Sequence, residues 1–353
     1  MKVIFTLISL MLLTLPITLH AQITEPDKFP NDKSLISVPV IVSDREGRYI
    51  SGLKKEDFTI FQDGVKQKVD FFATYDEPLN IALLLDTSGS TTNALDKIKD
   101  AAKEFIGLLN PNDQCLVATF DSQVNILNSF TSNQELLKNS INKVTTASQD
   151  GTVLRQAVKQ LAQNSFTNVQ GRKVIILLSD GKDFGSSVTR DEIMTMLEES
   201  DILIYTIFYK AGSTIKSLEI NSDGKVTEIK EVKKKEKKIK PPKPPKGYVI
   251  GIPDQIAQIS DDEIAFRNKR ADLDGIDSLR ELSDTTAGRF YLSDTPELKN
   301  IFKQVAGELR EQYRLGYRSK DANGTATHDV TVKVGGRPDV VVRTRGKFRA
   351  KQL

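Results

Sequence analysis

Residues 80–91, Asn-Ile-Ala-Leu-Leu-Leu-Asp-Thr-Ser-Gly-Ser-Thr, decide the fold of this chain. An apolar run leads into Asp86. There the polarity switches at once to a hydroxyl-rich, glycine-containing turn, and a helical pattern follows from Asn93. An apolar run without polar alternation is what a parallel strand covered on both faces requires. At the carboxyl end of such a strand, where the strand order of an open α/β sheet reverses, ligands bind. Asp86, Ser88 and Ser90 stand at alternate positions, so one carboxylate and two hydroxyls can converge on a single point. Three hard oxygens in one turn suit a cation such as Mg²⁺.

Working outward, strand and helix patterns alternate, which argues for a mainly parallel sheet with helices on both faces. Leu95, Ile98, Ala102, Phe105 and Leu109 form one helical stripe, ended by the turn at 110–113. QCLVATF is a strand, and Asp121-Ser122 turns it back into VNIL. Leu136, Leu137, Ile141 and Val144 mark a second helix, and Val153, Leu154, Ala157 and Leu161 a third. Residues 173–180, KVIILLSD, repeat the opening theme of a buried strand ending in an acid. A helix carrying Ile193, Met196 and Leu197 and the strand ILIYTIFY follow. After an interruption, a helix through Ile276, Leu279 and Leu282 leads to the strand RFYL. Thr295-Pro296 then opens a long helix through Leu309.

The flanks read differently. Residues 34–75 alternate in a β manner, with Asp63-Gly64 as a strong hairpin signal, and 313–350 return to β alternation. Neither flank can cover its own strands, so the two are expected to join in one sandwich into which the α/β unit is inserted. Within the interruption at 211–272, the run EVKKKEKKIKPPKPPK is too charged and proline-rich for a packed core, and 222–247 is expected to be mobile. One reading makes it a plain surface insertion. Another makes it a basic arm in weak, salt-sensitive contact with an anionic surface such as lipid head groups or acidic polysaccharide.

Residues 1–21 read as a secretory signal peptide, with one Lys, an apolar stretch from Val3 to about Leu19, and Ala21 before Gln22. Pro16 and the short apolar length weigh against the alternative, a retained anchor, which would need about 20 apolar residues. The protein is therefore expected to be exported, either secreted or held in the periplasm or cell envelope. Cys115, the single cysteine, lies in an apolar run and reads as core, so no intramolecular disulfide is available. A net charge of +3 over 353 residues is small, and nothing suggests a nucleic-acid partner.

Asp86-Thr87-Ser88-Gly89-Ser90 after a buried strand, Gly151-Thr152 opening a helix, and Leu178-Ser179-Asp180-Gly181 closing a second buried strand together resemble the von Willebrand factor type A domain. The resemblance covers about residues 78–310, the stretch containing the 211–272 insertion. It implies a doubly wound, Rossmann-like α/β fold. The flanking stretches GLKKEDFTIFQDGVKQKVDFF and YRLGY are similar to a related family of exported bacterial proteins. By motif position, the resemblance implies that Asp86, Ser88, Ser90, Thr152 and Asp180 hold one Mg²⁺ or Mn²⁺ in a metal-ion-dependent adhesion site. An oxygen-only shell of this kind leaves room for an incoming carboxylate. Asp150 stands where a glycine is common in the family. Asp183 is either an acid supporting the site from behind or a surface residue.

Each position alone has a plainer reading. Asp86 could be a helix N-terminal acid, Ser88, Ser90 and Thr152 capping groups, and Asp180-Gly181 a turn; their co-occurrence favours the metal. Enzyme readings fare poorly. Asp86-Thr87-Ser88 lacks the glycine of an aspartic protease, Ser88 has no nearby base because His328 reads as a strand surface residue, and zinc or phosphate-loop signatures are missing. Two readings remain. One is a non-enzymatic module that binds a protein partner's Asp or Glu through the ion; the other is a structural or accessory subunit of an envelope complex whose metal is stabilising or vestigial.

Overall fold

The computed structural model describes residues 34–74, 77–147, 151–210, 213–220, 226–233, 261–293, 297–319 and 326–349. The signal-peptide reading (1–21), most of the Lys/Pro-rich run, Asp150 and Thr295-Pro296 lie outside these residues.

The chain begins with strands β1 (Leu35–Ser43), β2 (Phe58–Gln62), β3 (Val65–Gln67) and β4 (Phe71–Ala73). Asp63 and Gly64, which join β2 to β3, have φ of +49° and +78°. Left-handed backbone at both central residues matches the twist of a tight hairpin, which explains the Asp-Gly pair.

The α/β unit follows as β5 (Leu79–Asp86), α1 (Leu95–Gly107), β6 (Gln114–Phe120), β7 (Val124–Ile126), α2 (Gln134–Asn142), α3 (Leu154–Gln160), β8 (Arg172–Ser179), α4 (Arg190–Glu198) and β9 (Ile202–Tyr209). A hairpin, β10 (Ser213–Ile220) with β11 (Val226–Lys233), leads to α5 (Asp261–Thr285), β12 (Phe290–Ser293) and α6 (Leu298–Arg310). The chain closes with β13 (Tyr313–Arg318), β14 (Thr327–Val334), β15 (Val341–Thr344) and β16 (Lys347–Arg349).

The central sheet has the order β12-β9-β8-β5-β6-β7, parallel except for β7. β5 is flanked by β6 and β8, so the chain winds outward to one side of it and then returns to the other. The strand order reverses at β5. Alternate residues of β5 serve opposite layers, which is why its sequence is apolar throughout. Ile81, Leu83 and Leu85 pack with residues of α1, α2 and α6, whereas Ala82 and Leu84 pack with α3, α4 and α5. This is the doubly wound arrangement expected from the sequence. Cys115 is fully buried in β6, and burial pushes its thiol up to about 12, so it is a core residue without nucleophilic character.

The terminal strands build two four-stranded sheets, β15-β1-β13-β4 and β16-β14-β2-β3. Each sheet interleaves strands from both ends of the chain, as in the antiparallel pairs β1·β13 and β2·β14. Between them lies a third core of Val38, Val40, Val42, Ile60, Leu315 and Val332, among others. Polar contacts join this sandwich to the α/β unit. The Arg314 guanidinium in β13 donates to both carboxylate oxygens of Glu77 at 2.8 and 2.9 Å, to Asp201 at 3.2 Å and to Ser37 at 3.1 Å. Glu308 of α6 is wholly buried and accepts from Tyr49 and Tyr205 at 2.8 Å each, from Arg289 at 3.2 Å and from Arg343.

Two local expectations need correction. Residues 226–233 fall within the stretch expected to be mobile, yet they form β11. Val226 is buried against the α3–α5 layer, and its amide donates to Asp277 at 3.0 Å. Apolar Val226 and Ile229 supply a packing face that the charge-rich composition obscured. His328 is buried instead of lying on the strand surface. Its Nδ1 is 2.7 Å from Asp63 Oδ2, and its ring stacks on Phe348 at 5.4 Å between centroids.

Candidate functional site

The carboxyl ends of β5, β6, β8 and β9 open on one side of the central sheet, because these strands are parallel. Asp86 is the last residue of β5 and is fully buried. One of its oxygens accepts from the Ser88 amide at 2.9 Å and the other from the Ser179 hydroxyl at 2.6 Å. The turn this creates brings the Ser88 and Ser90 hydroxyls within 3.1 Å of each other. Burial, and then the charge of Asp180, pushes the Asp86 carboxyl up to about 6.

Asp180 follows β8 and is buried as well. It accepts from the Lys182 amide at 3.2 Å and from the Lys182 ammonium at 2.8 Å. The sharp bend after it needs Gly181, whose φ is +77°. A Cβ there would lie 2.2 Å from the Gly275 carbonyl oxygen in α5, so the loop and the helix are seated backbone to backbone. Gly181→Ala is expected to cost about 1–3 kcal/mol of stability through this overpacking, read as a lower urea midpoint with an unchanged m-value.

Thr152, also buried, lies in the segment leading into α3. Backbone bonds pin that segment to its neighbours. The Val153 amide donates to the Asp121 carbonyl at 2.8 Å, and the Phe184 amide to the Thr152 carbonyl at 2.9 Å. Asp183 is almost wholly enclosed, not a surface acid. It accepts from the amides of Arg155 at 2.9 Å and Ser186 at 3.1 Å, satisfying an otherwise orphaned donor of the first turn of α3. Asp121 accepts from the hydroxyls of Thr87 at 3.3 Å and Ser122 at 3.1 Å. A cleft of about 650 Å³ opens beside it, lined by Thr87, Asp121, Ser122, Gln123, Lys143 and Thr145 among others.

The loops carrying Asp86, Ser88, Ser90, Thr152 and Asp180 thus share one pole of the sheet. Among the described residues no group of three or more His, Cys, Asp or Glu side chains gathers as a metal cluster. Two carboxylates with three hydroxyls make a sparse, hard donor set, and that chemistry fits Mg²⁺ or Mn²⁺ better than a softer ion. Sequence reading did not assign roles to Ser179, Lys182 or Asp272. Ser179 was visible as the residue before Asp180; Asp272 carries no local signal because it comes from a distant helix.

Residues 81–182 match the family model of the von Willebrand factor type A domain. This stretch is a von Willebrand factor type A domain. Such a domain points in general to protein interaction or adhesion. No curated protein matches the chain. Solved structures similar to it include the conserved hypothetical protein BatB from Bacteroides thetaiotaomicron, at 15% identity over 65% of this chain and 97% of that one, with a TM-score of 0.42. An aerotolerance-related membrane protein from Bacteroides fragilis is 15% identical over 66% of this chain and 99% of that one, with a TM-score of 0.42. Proximal thread matrix protein 1 from the mussel byssus, with a zinc-occupied MIDAS motif, is 16% identical over 69% of this chain and 48% of that one, with a TM-score of 0.45.

Proposed function

We propose that this is an exported, non-enzymatic binding module. In this reading Asp86, Ser88, Ser90, Thr152 and Asp180 of the von Willebrand factor type A domain hold one Mg²⁺ or Mn²⁺, and a protein partner supplies an Asp or Glu carboxylate to complete the shell. The observation that carries it is the convergence of the Ser88 and Ser90 hydroxyls beside buried Asp86, whose charge is coupled to that of Asp180. Five side chains of which only two are anionic leave a divalent ion electron-poor, and Mg²⁺ keeps exchangeable waters in such sites. A carboxylate displacing one of them would meet the ion in a partly dehydrated contact, where attraction is strengthened. Export rests on the signal-peptide pattern of residues 1–21. Among the described residues no helix is long and apolar enough to cross a membrane.

A second reading, a structural or accessory subunit with a stabilising ion, draws on the raised Asp86 carboxyl. An ion would relieve the cost of that buried charge whether or not a partner arrives. Pull-down from an envelope extract with magnesium or with EDTA separates the two readings. The binding module predicts a partner retained in magnesium and lost in EDTA. Equal retention in both, with the protein still melting higher in magnesium, would leave the ion a structural one.

A further inference from the structure

The Asp180 loop carries its own cation. Lys182 Nζ lies 2.8 Å from Asp180 Oδ2 and 3.4 Å from Asp272 Oδ1. Asp272 belongs to α5, and its other oxygen is 2.6 Å from Lys210 Nζ, just beyond β9. Both carboxylates are nearly enclosed, with side-chain exposures of 6% for Asp180 and 4% for Asp272, whereas Lys182 keeps 26%. The contact between Gly181 and Gly275 holds α5 against this loop, so the distance between the two acids is set by backbone packing instead of by flexible side chains. One ammonium therefore stands between two buried acids, and one of these is a proposed metal ligand.

We propose that Lys182 is a tethered competitor of the divalent ion, neutralising Asp180 when the ion is absent and passing to Asp272 when it binds. The inference rests on the metal reading above and adds a residue that sets its affinity. An ammonium and a divalent ion on the same carboxylate repel strongly in a poorly solvated setting. The ion can take full advantage of Asp180 only if the ammonium has another acceptor. Asp272 is that acceptor, within reach through a small rotation of the lysine stem. Its charge is already shared with Lys210, so the transfer is not free, and the site's affinity is held below what its five ligands alone would give. Affinity is thereby linked to the seating of α5.

The test is titration of the full chain with MnCl₂ by calorimetry. Lys182→Met is expected to tighten Mn²⁺ about tenfold, because the competitor is gone and the aliphatic stem is kept. Asp272→Asn is expected to weaken it about fivefold, because the ammonium loses its alternative acceptor. In the Lys182→Met background Asp272→Asn should have no effect, a coupling that independent structural damage would not produce. Lys182→Gln serves as a second neutral variant, and circular dichroism checks the fold of each. Should the wild type bind Mn²⁺ while both neutral variants bind it equally or more weakly, the competitor role is overturned and the metal site stands. Should neither the wild type nor any folded variant bind Mn²⁺, the metal reading itself fails and takes this inference with it.

Discussion

Glu308→Ala should lose about 3–5 kcal/mol of stability, the range for breaking a buried ionic pair by removing one partner. Glu308 is wholly buried and gathers donors from distant parts of the chain: Tyr49 after β1, Tyr205 in β9, Arg289 before β12 and Arg343 in β15. Truncation leaves the fully buried Tyr205 hydroxyl without this acceptor and two guanidiniums without their shared counter-charge. Burial, and then the Glu308 charge, raises the Tyr205 and Tyr49 phenols, the latter to about 12, so both stay protonated donors across the working pH range. Because these partners lie in both the sandwich and the α/β unit, the loss should appear as one cooperative shift of the urea midpoint. Glu308→Gln should fall between the two, since it keeps an acceptor but not the charge. A Glu308→Ala protein with a wild-type midpoint would show that the pairing contributes nothing net.

The second large effect concerns Asp86, where function and stability should move in opposite directions. Asp86→Asn is expected to abolish the calorimetric signal for Mg²⁺ and Mn²⁺. It should also remove the metal-induced rise in melting temperature, which for the wild type at an ion concentration 100 times Kd corresponds to about 2.7 kcal/mol. In EDTA the same variant should be the more stable protein at pH 8. The carboxyl is held at about 6 in the fold, against 3.8 for the free side chain, so the native state favours the protonated form. The stabilisation that this protonation provides is fully present below about pH 4 and is lost as pH rises through about 6, amounting to roughly 3 kcal/mol. Asparagine carries no such charge and still accepts from the Ser88 amide. A wild-type melting temperature in EDTA that does not fall between pH 4 and 7 would remove the basis for this trade-off. Retained Mn²⁺ binding in Asp86→Asn would remove Asp86 from the shell.

Much of this architecture was legible in the chain because it depends on local periodicity. The uniform apolar run 81–85 can be satisfied only by a strand covered on both faces, and the alternate burial of Ile81, Leu83 and Leu85 against Ala82 and Leu84 is the physical form of that requirement. Asp63-Gly64 prescribed its hairpin because few residues tolerate left-handed backbone at two successive positions. The acids at the ends of β5 and β8 were visible for the same reason, since an abrupt change of polarity marks where a buried strand leaves the core.

Other features came from meetings of residues far apart in the chain. Val226 and Ile229 looked like incidental apolar residues in a charged run until α5 offered them a surface, and His328 looked exposed until Phe348 and Asp63 closed around it. Glu308, Arg314 and Asp272 are unremarkable as letters, because the worth of a charge depends on which opposite charge shares its low-dielectric setting. Outside residues 211–272, where β10, β11 and the start of α5 were not foreseen, the sequence by itself determined the order of the main strands and helices and the loops that carry hydroxyls and acids, all of which follow from short-range patterns of polarity. Tertiary structure alone decided which strands of the two ends pair, which ions hold the sandwich to the α/β unit, and that an ammonium from the Asp180 loop stands between Asp180 and an acid of α5. Such contacts depend on how finished elements pack, and no local pattern encodes that.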